Sequence, residues 1–225
     1  NFREDEFRTG VIARGISANG EIIYGTSWEN SDFGMLYWVN NGANTEKPKW
    51  VGEDVREVWE ETMKNSDGTE YTTHLVNGLI CQAQLTKISP NGKWIASSYR
   101  TETPAEDRLS IVTTQTAAFY NTETETTTIV SDYGESVGVH VTDDGIAFIG
   151  IGTLGISSGK VYDLNTGTDL GSTQDWVYDN YGIIIPAGYI NYVSADGRFV
   201  LGTKAESSAM GVSFINWYIA PPIAK

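Results

Sequence analysis

The chain has few of the residues that build catalytic or metal centres. Its 225 residues include one cysteine, Cys81, and two histidines, His74 and His140, which lie far apart in the sequence. Cys81 cannot form a disulfide within the chain, and two distant histidines do not make a His-rich metal site. Nucleophile elbows, phosphate-binding glycine loops and zinc-spaced Cys/His pairs are also absent. The sequence therefore predicts no cofactor and no metal site.

Basic side chains and long apolar runs are scarce as well. Fifteen Lys and Arg stand against 29 Asp and Glu, which gives a net charge of −14. Such a charge repels nucleic-acid phosphates and anionic lipid surfaces. No run approaches the ~18 apolar residues that a bilayer-spanning helix needs. We therefore predict neither nucleic-acid binding nor membrane insertion, and we expect any signal segment to lie outside this sequence.

The sequence does contain a ten-residue phrase repeated four times. Each copy has Ile or Val, then Ser or Thr, any residue, Asn or Asp, and Gly, followed by an apolar strand; the copies are residues 16–25, 88–97, 141–150 and 193–202. An Asn/Asp-Gly pair predicts the two positive-φ residues of a tight hairpin turn, and the preceding hydroxyl can bond to local backbone. Each phrase is therefore predicted to be the centre of a β-hairpin.

The spacing of these hairpins predicts a repeat architecture. The phrases recur after 72, 53 and 52 residues, and each is followed by a second apolar strand and a polar turn. Units of about 50 residues with up to four antiparallel strands are typical of β-propeller blades. We predict an all-β, propeller-like fold with about four blades of four strands. It would be a single domain over residues 1–225, with units at 10–80, 81–136, 137–188 and 189–225.

The first interval is about twenty residues longer than the others, which indicates an insertion. Residues 53–64 place Val55, Val58, Trp59 and Met63 at helical spacing, and Asn65 begins a turn after them. This pattern predicts one short helix near 53–64. The last unit lacks an outer strand, and we expect residues 1–9 to supply it.

A family resemblance supports the same fold. The phrase Val193-Ser194-Ala195-Asp196-Gly197 and the strand after it resemble the HAF-type repeat of bacterial extracellular proteins and related propeller repeats. The first two copies depart from that pattern, with Asn19 and Asn91 where the family has Asp. The resemblance implies a propeller in an extracytoplasmic setting, the periplasm or the cell surface. It implies no reaction.

Ligand-binding residues are expected on one propeller face, which carries the connections between second and third strands and those between blades. These connections are predicted at residues 26–34, 97–110, 151–159 and 204–210. Aromatic and charged groups gather in the first two, and the candidate ligand-binding residues are Trp28, Glu29, Asp32, Tyr99 and Arg100. Aromatic faces flanked by charges suit a sugar or a peptide. The sequence therefore favours a binding or scaffolding module with a glycan or protein ligand.

Three alternatives to that interpretation stay open. A propeller glycoside hydrolase would need two carboxylates that converge at the centre, and no motif pairs any two acids here. A passive domain of a larger surface protein would need no ligand. Residues 163–169 alternate oxygen side chains as cation loops do, although a turn between two strands explains them more simply.

Overall fold

The structure of this protein, a computed structural model, describes residues 12–27, 34–40, 48–81, 86–152, 158–208 and 211–220. Almost all regular structure in these ranges is β-strand. The strands are β1 Ile12–Ile16, β2 Ile22–Ser27, β3 Gly34–Val39, β4 Lys49–Trp50, β5 Glu57–Lys64, β6 Glu70–Ile80, β7 Lys87–Ile88, β8 Trp94–Pro104, β9 Ile111–Asn121, β10 Thr126–Val130, β11 Ser136–Val141, β12 Ile146–Ile151, β13 Ser158–Asp163, β14 Thr168–Ser172, β15 Tyr189–Val193, β16 Val200–Ser208 and β17 Gly211–Ile219. A 3-10 turn at Glu53–Val55 and a helix, α1, at Thr173–Tyr181 complete the described elements.

These strands form four antiparallel sheets, arranged as the four blades of a β-propeller. Blade 1 has the order β1-β2-β3-β4, and blade 3 has the order β11-β12-β13-β14. Blade 2 contains β7 to β10 and gains β6 and β5 beside β8, while blade 4 has β15-β16-β17 among the described residues. The predicted fold class is confirmed. The strand expected from residues 1–9 lies outside the described residues.

The repeated phrase forms the turn between the first and second strands of every blade. In blade 2 the Ser89 hydroxyl accepts a hydrogen bond from the Trp94 backbone N–H at 3.0 Å and donates to Asn91 Oδ1 at 2.9 Å. The backbone N–H of Gly92 closes the turn onto the Ser89 carbonyl. Ser17, Thr142 and Ser194 bond in the same way in the other blades. The hydroxyl therefore ties the strand to its turn.

The conformation of this turn differs from the predicted one. Only its glycine has positive φ, as at Gly92 with 83°, and the preceding Asn or Asp does not. Instead, the side chain of that Asn or Asp accepts a hydrogen bond from the backbone N–H two residues later, as from Lys93 to Asn91. An Asx-type bond of this kind stabilises the turn without a second left-handed residue. The expectation of two positive-φ residues was therefore wrong.

The turns of neighbouring blades also bond to each other. Asn19 of blade 1 donates from Nδ2 to the Asn91 carbonyl of blade 2, and its backbone N–H bonds to the Pro90 carbonyl. The backbone N–H of Asn91 in turn donates to Asp143 Oδ1 of blade 3 at 2.9 Å. A chain of hydrogen bonds thus runs through three successive turns.

Three apolar cores join successive blades. The first packs Ile22, Tyr24, Met35 and Tyr37 of blade 1 against Ile95, Ala118 and Tyr120 of blade 2. The second joins blades 2 and 3 through Trp94, Ala96, Phe119, Val141, Ala147 and Ile149. The third joins blades 3 and 4 through Phe148, Val161, Val177, Ile190, Val193 and Val200. Most of the buried apolar surface therefore lies between sheets.

The predicted helix near 53–64 was wrong. Only the 3-10 turn Glu53–Val55 is helical there, and Glu57–Lys64 is the strand β5, paired with β6 along its whole length. The apolar positions at helical spacing also fit a strand, since Trp59 and Met63 lie on one face of the hairpin and Met63 is fully buried. A β-branched partner strand, with Thr72, Thr73 and Val76, favours the extended form.

A helix missed by the sequence analysis, α1, packs Val177 into the third core. The Ser172 hydroxyl caps its first turn by accepting a hydrogen bond from the Asp175 backbone N–H, and Gly182 ends it with φ of 66°. Residues 163–169 form the turn between β13 and β14, in which Asp163 accepts bonds from Asn165 and Thr166. No helix in the described ranges has the length and apolar character to span a bilayer.

The repeat turn can be tested at Ser89, which is fully buried. Ser89→Ala leaves the Trp94 N–H without its partner, and we expect a loss of roughly 1–3 kcal/mol in unfolding free energy. Ser89→Thr keeps the hydroxyl, as Thr142 does in blade 3, and we expect a much smaller loss. Urea denaturation of both variants measures the difference. Equal stability of Ser89→Ala and the wild type would contradict the assigned bond.

The pH dependence of stability can be tested at His140. This side chain is 1% exposed between Phe148 and Tyr192, and its Nε2 lies 3.2 Å from the Val193 carbonyl. Burial lowers its pKa to about 4, and the positive charge of Lys87 acts in the same direction. Between about pH 6.5 and pH 4 the imidazole of His140 is therefore protonated in the unfolded chain and neutral in the folded chain. The unfolding free energy falls as the pH drops through this range, because the unfolded state binds the additional proton.

The resulting loss is on the order of 3 kcal/mol across that window. His140→Phe removes it, so its unfolding free energy should change less between pH 6.5 and 4 than that of the wild type. His74→Gln, which replaces an exposed histidine of β6, is measured beside it as the control. Parallel pH profiles for the wild type and His140→Phe would refute the assignment.

Candidate functional site

The structure describes two of the five predicted ligand-binding residues. Trp28, Glu29 and Asp32 lie outside the described residues. Tyr99 and Arg100 are neighbours on β8 and point to opposite faces of that strand. Tyr99 is half-buried against the first core, where burial raises its pKa and the Glu57 carboxylate raises it further. Its ring therefore packs mainly against the blade.

Residues 97–110 are mostly strand, so the predicted loop there was wrong. Strand β8 continues to Pro104, β9 begins at Ile111, and only the turn between them is irregular. The pairing runs the full length of both strands, from Trp94 opposite Asn121 to Pro104 opposite Ile111. Threonines alternate along both strands here, and such β-branched residues favour a long hairpin. Residues 204–208 are likewise the end of strand β16.

This long hairpin lies beside the insertion, and the two form one protrusion. We call them the twin hairpins: β5–β6, residues 57–80, and the outer part of β8–β9, residues 99–116. The last three residues of β6 pair with β8, from Gly78 opposite Arg100 to Ile80 opposite Ser98. The β5–β6 hairpin enters at the connection between blades 1 and 2, and β8–β9 is a connection between second and third strands. Both belong to the face where the sequence predicted ligands.

The base of the twin hairpins is fixed by a partly buried carboxylate. Glu102 has a side chain only 12% exposed, and it forms an ion pair with Arg100 at 2.5 Å. Its other oxygen accepts a hydrogen bond from the Val76 backbone N–H at 3.0 Å, and its own N–H donates to Asn77 Oδ1. Arg100 therefore neutralises a structural carboxylate. This arrangement favours a positioning role for Arg100.

The outer ends of the twin hairpins are joined by Arg108. Its carbonyl accepts a hydrogen bond from the Lys64 N–H at 3.0 Å, and its guanidinium donates to Glu61 Oε1 at 2.7 Å and to the Thr62 carbonyl at 2.8 Å. Arg108 has φ of 59°, a left-handed conformation that non-glycine residues rarely adopt. The three bonds to β5 offset the cost of that conformation.

Several large apolar side chains of the twin hairpins are exposed. Leu109, Ile111 and Val112 lie close together in sequence at the outer end of β8–β9, with exposed fractions of 51%, 38% and 50%. Val58 and Tyr71 of the other hairpin are exposed as well. Meanwhile Met63 and Leu75 are fully buried and hold the β5–β6 hairpin in place. A well-packed projection with exposed apolar side chains is typical of an interaction surface.

The edge of β5 is covered at its outer end. Strand β5 is the last strand of its sheet, and its backbone N–H at Lys64 and carbonyl at Thr62 bond to Arg108. Strand β10 pairs with β9 only from Ala117 to Asn121.

A shallow cleft lies at the inner end of this face, between blades 1 and 2. Its walls include Gly34, Trp50, Arg56, Val76 and Gly78. The Arg56 guanidinium carbon lies 4.2 Å from the centre of the Trp50 ring. A Cβ at Gly34 would come within 3.0 Å of that ring, so glycine is needed for this close approach. The Arg56 side chain covers one face of the Trp50 ring, and that face is closed to a sugar.

The pKa shifts of the described carboxylates give no sign of a general acid. Five of them have a shifted pKa, Asp67, Glu125, Asp163, Asp169 and Asp196, and in every case the pKa is lowered. A general acid would need a raised pKa. In the same ranges no group of three His, Cys, Asp or Glu side chains could hold a metal ion.

Comparisons with known proteins give only weak similarities. No family model matches the chain, and no curated protein matches it. Among solved structures, TolB from Acinetobacter baumannii aligns with a TM-score of 0.37 and 11% identity, over 95% of this chain and 51% of TolB. The tricorn protease aligns with a TM-score of 0.24 and 10% identity, over 92% of this chain and 25% of the protease.

The chain thus spans about half the length of TolB and a quarter of the tricorn protease. Similarity at this level carries no information about ligand, partner or activity.

The contact between the two hairpins can be tested at Arg108. Arg108→Ala removes the bonds to Glu61 and Thr62, and a partly exposed ion pair of this kind contributes up to about 1 kcal/mol. We therefore expect the Lys64 amide to exchange with solvent about three- to fivefold faster, while global stability changes little. Lys93→Ala, which breaks the surface pair with Glu123, is the control. Unchanged exchange at Lys64 in Arg108→Ala would show that the guanidinium does not hold the hairpins together.

Proposed function

We propose that this chain is a propeller binding module that holds a protein partner on the twin hairpins. The observation that carries this proposal is the exposure of Leu109, Ile111 and Val112, on both faces of the outer end of a hairpin whose base is fixed by part-buried contacts. A rigid support reduces the entropy lost on binding, and exposed apolar side chains supply the contact area.

The charge of the β5–β6 hairpin indicates which kind of partner surface would fit it. The β5–β6 hairpin carries Glu57, Glu60, Glu61, Asp67 and Glu70 against one lysine, Lys64. Acidic side chains around an apolar centre suit a partner surface that is apolar with basic groups at its rim.

A glycan ligand remains a second hypothesis. It depends on Trp28, Glu29 and Asp32, which lie outside the described residues. Of the described aromatic side chains near this face, Tyr99 packs on the core and Trp50 is covered on one side by Arg56. These contacts leave little free aromatic surface for a sugar ring and support a protein partner.

An extracytoplasmic setting is part of the proposal and rests on the resemblance of the repeat to HAF-type sequences. Scaffolding within a larger surface protein is compatible with the same surface. The hydrolase alternative has no support from the described carboxylates, whose shifted pKa values are all lowered. It stays a hypothesis for the remaining residues.

The test is site-specific photo-crosslinking in cells that produce this protein. A photoreactive amino acid at Val112 should give a discrete crosslinked product with another protein. The same amino acid at Tyr178, an equally exposed position on α1, is the control and should not give that product. Adding Leu109→Glu to the Val112 probe should remove the product, because a charge in an apolar contact is costly to desolvate.

Two results would contradict the proposal. One is an identical crosslinking pattern from positions 112 and 178. The other is a sugar that raises the melting temperature of the wild type and of Leu109→Glu equally, in the absence of any Val112 product. The second result would instead support the glycan hypothesis.

A further inference from the structure

The two faces of each inner blade pack against different neighbouring blades. Side chains on a strand alternate between the two faces of its sheet. In blade 2, Ile95 belongs to the core with blade 1, whereas its neighbours Trp94 and Ala96 belong to the core with blade 3. In blade 3, Ile149 faces blade 2 and Phe148 faces blade 4. Each inner blade therefore has one apolar face for the preceding blade and one for the following blade.

Blade 4 has a second apolar face by the same rule. Val200 packs against blade 3, so Leu201 points to the opposite face. Tyr218 is a cross-strand partner of Leu201 and shares that face. The other partner, Tyr192, has its ring against His140 of blade 3. Phe199 lies there as well, with its ring stacked on Tyr218 at a centroid distance of 6.2 Å. Yet Tyr218 is 71% exposed.

Blade 1 has the complementary face. Ile22 and Tyr24 pack against blade 2, so Ile23 points away from it. Ile16 and Trp38 are the cross-strand partners of Ile23 and share its face. Ile16 is 55% exposed, although it is an apolar residue in the first strand of a blade.

The matching positions are fully buried in the inner interfaces. The repeat turn aligns Leu201 of blade 4 with Ala96 of blade 2 and with Phe148 of blade 3, and both are 0% exposed. It aligns Ile23 of blade 1 with Ile95, which is also 0% exposed. The outer faces of blades 1 and 4 are therefore two halves of an interface that the chain forms three times elsewhere. Ile16 and Tyr218 are exposed at once in a single copy, so these two side chains do not cover each other.

We propose that the outer face of blade 4 docks onto the outer face of blade 1 in a second copy of this chain. The contact is head-to-tail: Leu201, Phe199 and Tyr218 of one copy meet Ile23 and Ile16 of the other. It continues the existing stack of blades across two molecules. Two such contacts would close a symmetric pair of copies, and repetition without closure would give longer assemblies.

The first test measures the mass in solution by light scattering coupled to gel filtration. The wild type should be larger than a monomer, whereas Ile16→Lys and Tyr218→Lys should each be monomeric, since a buried lysine without a partner opposes the contact. Both side chains are exposed in the single copy, so circular dichroism should show intact folds. Tyr178→Lys, which alters an exposed tyrosine away from both faces, is the control and should keep the wild-type mass.

A mixture of the two monomeric variants gives the decisive measurement. Ile16→Lys retains an intact blade 4 and Tyr218→Lys retains an intact blade 1, so together they can form one wild-type contact. The mixture should therefore contain a species of twice the monomer mass, which neither variant forms alone. A monomeric wild type at high concentration, or a mixture that stays monomeric, would overturn the proposal.

Discussion

A four-stranded sheet with apolar side chains on both faces cannot be stable alone in water, and this constraint governs the whole molecule. Each blade here is a sheet of three or more described strands, and the buried residues cluster between blades. Stability is therefore a property of neighbouring pairs, as in other repeat proteins. The turns and the insertion add contacts at the ends of the strands. They leave the apolar faces between neighbouring blades unchanged.

The same constraint separates structural residues from those available for binding. Arg100 and Tyr99 looked like ligand-binding residues in the sequence because they are polar or aromatic and follow an apolar strand. In the structure, Arg100 neutralises Glu102 and Tyr99 packs on the first core. The exposed apolar group at Leu109, Ile111 and Val112 is the more distinctive surface, because its side chains face solvent at the end of a hairpin that is rigid at its base.

The sequence predicted the blades because the turn phrase is local. A hydroxyl, an Asn or Asp and a Gly within four residues define the hairpin, and no distant contact is needed to recognise it. The β5–β6 hairpin was harder to predict, since Val55, Val58, Trp59 and Met63 fit a helical spacing and only pairing with β6 decides for a strand. Helix α1 left a signal that was overlooked, namely Ser172 three residues before Asp175, with Gly182 at the end. The candidate site could not be predicted, because it arises where two hairpins distant in sequence meet, at Arg108 and Glu61.

The hydrogen bonds between successive turns bear on how such a chain could have grown. Asn91 closes its own turn through Oδ1, accepts a bond from Asn19 of the preceding blade, and donates its N–H to Asp143 of the following blade. One short phrase therefore encodes both the folding of a blade and its attachment to two neighbours. A duplicated segment that includes this phrase would carry its own connector, so that blade number could change by copying without the invention of a new interface.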